Sequence, residues 1–469
     1  MSTDSTWQAA CASNGSAVTS KASIAGRLGT FTDDDSSLVR ARRRAAEGGI
    51  WRGRNDRWCT GGARRYSPAM TTTAARRVEP ALLVILAGVV AALHVGKLPP
   101  AIPVLRDALG LTLVQAGFLL SLVQLAGMTT GVAFGVVADS LGSRRSMTLG
   151  LALLAVVSAL GGFAQGVAPL MLLRAVEGFG FLLVVLPAPG LVRSLVEPQR
   201  VSAMIGLWGA YMPLATALAL LLGPLAIATI GWRGWWWTLA ALSAAMAGWL
   251  RHALPAGAGA AEVATSSPWL SRLRQTLASP GPWLVAMSFA MYSGQWLAVI
   301  GFLPSIYIQS GIAGPVAGVL TAAVAAVNMV GNIGSGRLLQ RGVAPARLLT
   351  IGFATMGLAA AATFAGSDEA GLAPALRYGA VLLFSGVGGL IPATLFALAV
   401  RLAPSEGTLS TTIGWVQQWS ALGQFAGPPL AATVASLAGG WQWTWGVTGA
   451  CSLVGLLLTL LLGRLSSRR

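Results

Sequence analysis

The chain has 469 residues, 55% hydrophobic and 10% charged, with a formal net charge of +17. A soluble globular domain carries roughly 25% charged residues, so the composition excludes that class and describes a polytopic membrane protein. The arginines stand between apolar runs, as membrane topology demands, which removes nucleic acid from the expected partners.

Residues 1–79 form a basic tail with no apolar run long enough to cross a bilayer and no secretory signal. Its "RARRRAAEGGIWRGRNDRW" has the composition of disorder. Met70 opens "MTTTAARRVEP", a short basic lead into the first apolar run. Translation is expected to start there, with residues 1–69 an over-extended reading of the gene; the alternative is a disordered cytoplasmic tail. Cys11, Cys59 and Cys451 have no paired or metal-binding spacing, and His94 and His252 cannot build a zinc site by themselves. No metal or other cofactor is expected.

From residue 80, twelve apolar stretches reach the roughly 20 residues that a crossing needs. They cover 81–104, 112–137, 147–166, 170–192, 202–227 and 234–250, then 282–308, 314–338, 347–365, 375–400, 408–434 and 443–463. The longest break, 252–281, reads as a cytoplasmic linker between a six-helix bundle over 80–251 and a second over 282–469. Loops on the side of the N-terminus hold most of the arginines, among them Arg144, Arg145, Arg251, Arg337, Arg341 and Arg401, against Arg106, Arg233 and Arg377 on the other side. The positive-inside rule then puts both termini in the cytoplasm, and the chain in the cell inner (plasma) membrane as a multi-pass protein.

The halves echo each other at an offset of about 200 residues. "LLLGPLAIATIGWRGWWW" (220–237) joins the fifth and sixth stretches, and "QFAGPPLAATVASLAGGWQWTW" (424–445) joins the eleventh and twelfth. Such a repeat is typical of secondary transporters, whose substrate site lies between the repeats near the bilayer midplane. Trp232, Trp235, Trp236, Trp237, Trp441, Trp443 and Trp445 read as interfacial anchors at the ends of these stretches.

"GVVADSLGSRR" (135–145) follows the second stretch, and "RAVEGFG" (174–180) lies in the fourth. The first resembles the loop signature of the major facilitator superfamily between helices two and three, with Ser140 and Ser143 in place of two basic residues. The second is similar to that family's fourth-helix motif, with Glu177 in place of glutamine. The resemblance covers residues 80 to 465 and implies an all-α polytopic membrane protein: twelve transmembrane helices in two six-helix pseudo-symmetric bundles, the major facilitator fold. It further implies that Gly135, Asp139, Gly142, Arg144 and Arg145 form a conformational latch on the cytoplasmic side. Gly127, Gly131 and Gly135 on the second stretch, and Gly423 and Gly427 on the eleventh, permit close helix approach, expected at the moving interface.

Away from the ends of the stretches, four side chains of full charge potential stand out: His94, Lys97, Arg174 and Glu177. Arg174 and Glu177, three residues apart on one helical face, are expected to neutralise each other, as a purely structural pair or as a proton-sensitive one. That leaves Lys97 without an acidic partner. Either it snorkels to the interface, or it awaits an anionic substrate in a cavity. Pro99 and Pro100 favour the cavity by interrupting helix hydrogen bonds. The resemblance places position 94 where many proton-driven efflux members carry a buried acid. His94, one turn before Lys97, is a candidate proton carrier together with Arg174 and Glu177. Tyr211, Gln295, Asn328, Asn332, Gln417 and Gln418 offer uncharged hydrogen bonds and complete, with Lys97 and His94, the candidate substrate-binding set.

The expected function is secondary active transport of a small anion by proton-coupled alternating access. "GLWGAYMPLATAL" (206–218) and "HVGKLPP" (94–100) resemble the cyanate and nitroimidazole permease group within the superfamily. The alternative is a proton-driven drug or metabolite efflux antiporter. Gly223 and Pro224 resemble part of an antiporter motif, without its following Gly-Gly. No phosphate-binding loop, metal cluster or nucleophile elbow is present, so an enzyme is not expected. The expected partners are the small-molecule substrate, protons and the lipid bilayer, with the chain acting as a monomer.

Overall fold

The computed structural model describes residues 79–131, 142–255, 268–366 and 371–467. The proposed start at Met70, the latch residues Gly135 and Asp139, and residues 256–267 of the expected linker lie outside the described residues. Those that are described are helical apart from short turns and connections. Ten segments are long and apolar enough to cross a membrane. One of them, Pro198–Ala253, runs for 56 residues but turns back on itself at Gly231 (φ 71°, ψ 170°). Only glycine adopts that backbone without strain, so this segment is two crossings, the fifth and sixth. A further helix, Leu409–Ala438, has 30 residues and ends at Gly439 (φ 69°). It is long enough to span, and its Gln417, Gln418 and Gln424 make it less apolar than the other ten. Among the described residues the spans therefore number twelve, each overlapping an expected stretch.

Local chemistry places the helix ends. A proline occupies the first turn of the helices starting at Pro80, Leu98, Pro198, Pro280, Gly314, Pro345 and Pro374. The missing N–H is harmless there, because first-turn donors have no helical partner. The second span opens with a capping box: Gln115 N–H donates to Thr112 Oγ1 at 3.2 Å, and Thr112 N–H to Gln115 Oε1 at 2.9 Å. Its helix Leu113–Ser121 then tightens into a 3-10 turn over Leu122–Gln124 before continuing to Gly131. The first span is two helices, Pro80–Gly96 and Leu98–Leu109, hinged at Lys97. The fourth is likewise divided, Val167–Val185 and Ala188–Leu195, at Pro187.

Two apolar cores form. One is drawn mainly from residues 81–254, the other mainly from 285–462. They meet along the second and eleventh spans and along the fifth and eighth. Small residues let the backbones approach there. A Cβ on Gly117 would lie 2.9 Å from Pro429 Cα, and one on Gly127 2.9 Å from Ala421 Cβ. A Cβ on Gly131 would lie 3.3 Å from Gln418 Cβ, and one on Gly318 2.6 Å from Pro224 Cγ. Gly127 and Gly131 thus stand at the seam as expected, while Gly135 lies outside the described residues. Gly423 and Gly427 do not: they pack on Ala290 and Gly294 of the seventh span, inside their own half.

The tryptophan expectation needs correcting. Trp232, Trp235 and Trp236 are buried, not interfacial anchors, whereas Trp237 and Trp443 are exposed. Trp235 and Trp236 enclose a polar group within the first core, and Trp232 packs edge-on against Trp236.

Candidate functional site

That polar group is Lys97. Its ammonium lies in the interior of the first half and donates to Glu177 Oε1 at 2.5 Å and to Ser158 Oγ at 3.0 Å. His94 Nδ1 stands 3.4 Å from the same Nζ. The Trp236 ring caps it at 4.7 Å from the centroid, and Trp235 Nε1 donates to the Lys97 carbonyl. The second carboxylate oxygen of Glu177 accepts from Arg174 Nη1 at 2.6 Å. Arg174 is held by two carbonyls, His94 O on the first span and Leu119 O on the second. His94 Nε2 meets Ser243 Oγ on the sixth span at 2.8 Å. His94 Nδ1 also stands 3.5 Å from Glu177 Oε1, so the ring hydrogen serves either that carboxylate or the Ser243 hydroxyl according to the tautomer.

The four groups are sealed: His94 and Lys97 are 0% exposed, Arg174 and Glu177 2%. Burial of this kind is tolerated only where charges are paired and bonded. Counted formally, two bases, one carboxylate and a neutral imidazole leave one positive charge in excess. Arg174 Nη2 is buried with no hydrogen-bond partner among the described residues.

The expectation that Lys97 lacks a protein partner is overturned. The Glu177 carboxylate has two oxygens, and each takes one base, Oε1 Lys97 and Oε2 Arg174. The unbonded Lys97 was also the ground for placing an anion beside it, and that ground is gone.

The remaining candidates do not gather around this network. Tyr211 stacks on Trp208, centroids 4.4 Å apart. Asn328 Nδ2 donates to Tyr292 Oη at 3.1 Å and to the Ser385 carbonyl at 2.8 Å, and Asn332 Nδ2 donates to Asn328 Oδ1 at 2.9 Å. Gln295 Oε1 accepts from Ser452 Oγ at 3.1 Å. Those contacts lie inside the second half. Gln417 and Gln418 are half-buried on the eleventh span, Gln418 against Gly131 at the seam. Of the latch residues, Arg145 is exposed and Arg144 donates to the Arg251 carbonyl in the last turn of the sixth span. That bond ties two helices of one half.

Sequence reasoning missed Ser158, Ser243 and Trp236, since lone hydroxyls in apolar helices carry no distinguishing pattern. It also missed Gln124 and Gln424. Gln124 Nε2 donates to Gln424 Oε1 at 3.0 Å across the seam between the halves. An amide in the middle of the apolar second span was a readable signal.

Comparison with known proteins agrees with this architecture. The family model of the Major Facilitator Superfamily matches residues 84–428. The chain is 28% identical over 157 residues to the tetracenomycin C resistance and export protein of Streptomyces glaucescens, which covers 33% of this chain and 29% of that protein. It is 25% identical over 228 residues to the cyanate transport protein CynX of Escherichia coli (strain K12), covering 48% and 57% respectively. The matches therefore span less than two thirds of either relative. Among solved structures, a bacterial homologue of the human lysosomal transporter Spinster, inward-facing and unoccupied, superposes with a TM-score of 0.67 at 15% identity, over 84% of this chain and 98% of that one. Its inward-facing, occupied form gives 0.67 at 14% identity, over 82% and 96%. At such identities the likeness shows the fold. Twelve apolar spans, that fold and a family match over most of its length show that this chain belongs to the Major Facilitator Superfamily, a family of membrane transporters and not of enzymes.

Proposed function

We propose that the chain is a proton-coupled secondary transporter that moves a small anion across the inner membrane by alternating access. The observation that carries this reading is the sealed network of His94, Lys97, Arg174 and Glu177. It ties the first, third, fourth and sixth spans together through Ser158 and Ser243, and Arg174 reaches the second span at the Leu119 carbonyl. Gaining or losing one proton there changes the charge of a low-dielectric core, where electrostatic effects are large. The second span borders the seam, so the change is felt where the halves meet. The formal excess of one positive charge and the unbonded Arg174 Nη2 support an anion over a cation. The likeness to a cyanate transport protein points the same way. The arginine-rich loops support cytoplasmic termini.

In this reading, Lys97 and His94 act on the solute through the network's field, not as its direct ligands. Tyr211, Gln295, Asn328, Asn332, Gln417 and Gln418 remain candidate solute contacts, with Gln418 favoured by its place at the seam. Gly135, Asp139, Gly142, Arg144 and Arg145 remain the proposed latch, and the chain the proposed monomer. Proton-driven export is a second reading, favoured by the likeness to the tetracenomycin C export protein. Proteoliposomes holding the purified protein separate the two. With cyanate, nitrate and formate as probes, an inside-alkaline pH gradient should drive accumulation that a protonophore abolishes. Uptake equal with and without the gradient overturns the coupling. Uptake driven only by the opposite gradient favours export.

A further inference from the structure

The seam between the second and eleventh spans holds small residues, the Phe118–Phe425 pair and Gln418 against Gly131, and it carries one amide–amide bond, from Gln124 to Gln424. Gln124 is 4% exposed. Gln424 Nε2 in turn donates to Ser420 Oγ at 3.3 Å, and the Ser420 carbonyl accepts from Ser293 Oγ on the seventh span at 2.8 Å. A hydrogen-bonded line thus runs from the first half into the second.

Its level in the bilayer follows from the helices. Gln424 lies midway along the 30-residue helix Leu409–Ala438, about 22 Å from its start at ~1.5 Å per residue. Gln124, bonded to it, is at the same depth. This is the midplane between the repeats, where secondary transporters bind their solutes. Gln124 also ends the 3-10 turn Leu122–Gln124, and a mid-helix turn of that kind marks a hinge.

If the seam parts, Gln124 Nε2 loses its acceptor and Gln424 Oε1 its donor, a cost that an apolar contact would not suffer. A solute with acceptor oxygens or nitrogens restores both bonds. We infer that Gln124 and Gln424 are solute-contact residues: a small anion replaces the amide–amide bond, taking one N–H from each side chain, and the bond re-forms when the anion leaves. Gln124 Nε2 already donates. Gln424 exchanges its acceptor oxygen for its amide nitrogen by rotation of the side chain. The positive excess one helix away, anchored at the Leu119 carbonyl, favours a negative charge at this place. The inference rests on the proposed anion transport and adds the residues that touch the anion.

The test uses proteoliposomes and two sets of variants. Gln124→Ala and Gln424→Ala should each raise the KM for nitrate or cyanate about tenfold, as expected for one lost hydrogen bond to an anion. The double variant should be little worse than either, because the pair acts as a unit. Gln424→Glu, similar in size, should lose uptake while its thermal unfolding in detergent stays that of the parent. With Cys11, Cys59 and Cys451 replaced by serine, Gln124→Cys with Gln424→Cys should cross-link under mild oxidation, and 10 mM nitrate or cyanate, about tenfold above a millimolar affinity, should slow the cross-link. Wild-type KM in both alanine variants, with cross-linking indifferent to either anion, overturns the inference and leaves the transport reading intact. Failure of the wild type to take up any probe, with no anion slowing the cross-link, overturns both.

Discussion

Lys97 Nζ and Glu177 Oε1 stand 2.5 Å apart, on the first and fourth spans, with the lysine 0% and the glutamate 2% exposed. Glu177 also holds Arg174, so one carboxylate serves two buried bases. Removing it leaves both uncompensated, and breaking a buried pair this way costs about 3–5 kcal/mol. Glu177→Gln should therefore unfold well below the wild type in detergent. Lys97→Met, which leaves Glu177 paired with Arg174, should cost much less. Combining the two should recover part of the loss. Equal unfolding temperatures for Glu177→Gln and Lys97→Met would contradict the shared-carboxylate geometry.

Trp236 closes the site from above. Its ring caps the ammonium, its carbonyl accepts from Ser158 Oγ at 3.0 Å, and its edge fills the space beside Gly161. Trp236→Ala should destabilise the protein by about 3–5 kcal/mol, the usual cost of deleting a buried aromatic. Trp236→Phe keeps a ring over the cation and should cost less than half as much. Comparable losses for both, followed by thermal unfolding, would show that the ring over Lys97 contributes nothing special.

The seam glycines give a separate check on motion. Gly117→Ala and Gly318→Ala place a methyl against Pro429 and Pro224 respectively, and should slow transport several-fold while membrane insertion stays normal. Gly248→Ala, with open space around it, is the control and should transport like the wild type. Wild-type rates in both seam variants would mean that these spans do not need close approach.

Most of the architecture was legible in the sequence because hydropathy and length dictate a span, and every expected stretch overlaps one. The site was legible only in its parts. His94, Lys97, Arg174 and Glu177 stood out, since charged side chains in apolar helices are rare. Their pairing did not, because Lys97 and Glu177 are 80 residues apart and helix periodicity says nothing about which faces of different spans meet. The same limit applies to Gln124 and Gln424, 300 residues apart. The tryptophans misled for a related reason: Trp236 and Trp237 are adjacent, yet one caps a buried cation while the other is 41% exposed.

The His94–Lys97–Glu177–Arg174 network is the proposed carrier of the coupling proton. The direct measurement follows the interior pH of proteoliposomes with a trapped dye while an inward nitrate gradient is imposed, subtracting protein-free vesicles. The wild type should acidify the interior as nitrate enters. The Lys97→Met/Glu177→Gln double variant, chosen because it should keep the fold, should exchange labelled nitrate for unlabelled nitrate but no longer acidify. Acidification at the wild-type rate in that variant would place the proton elsewhere and contradict the account.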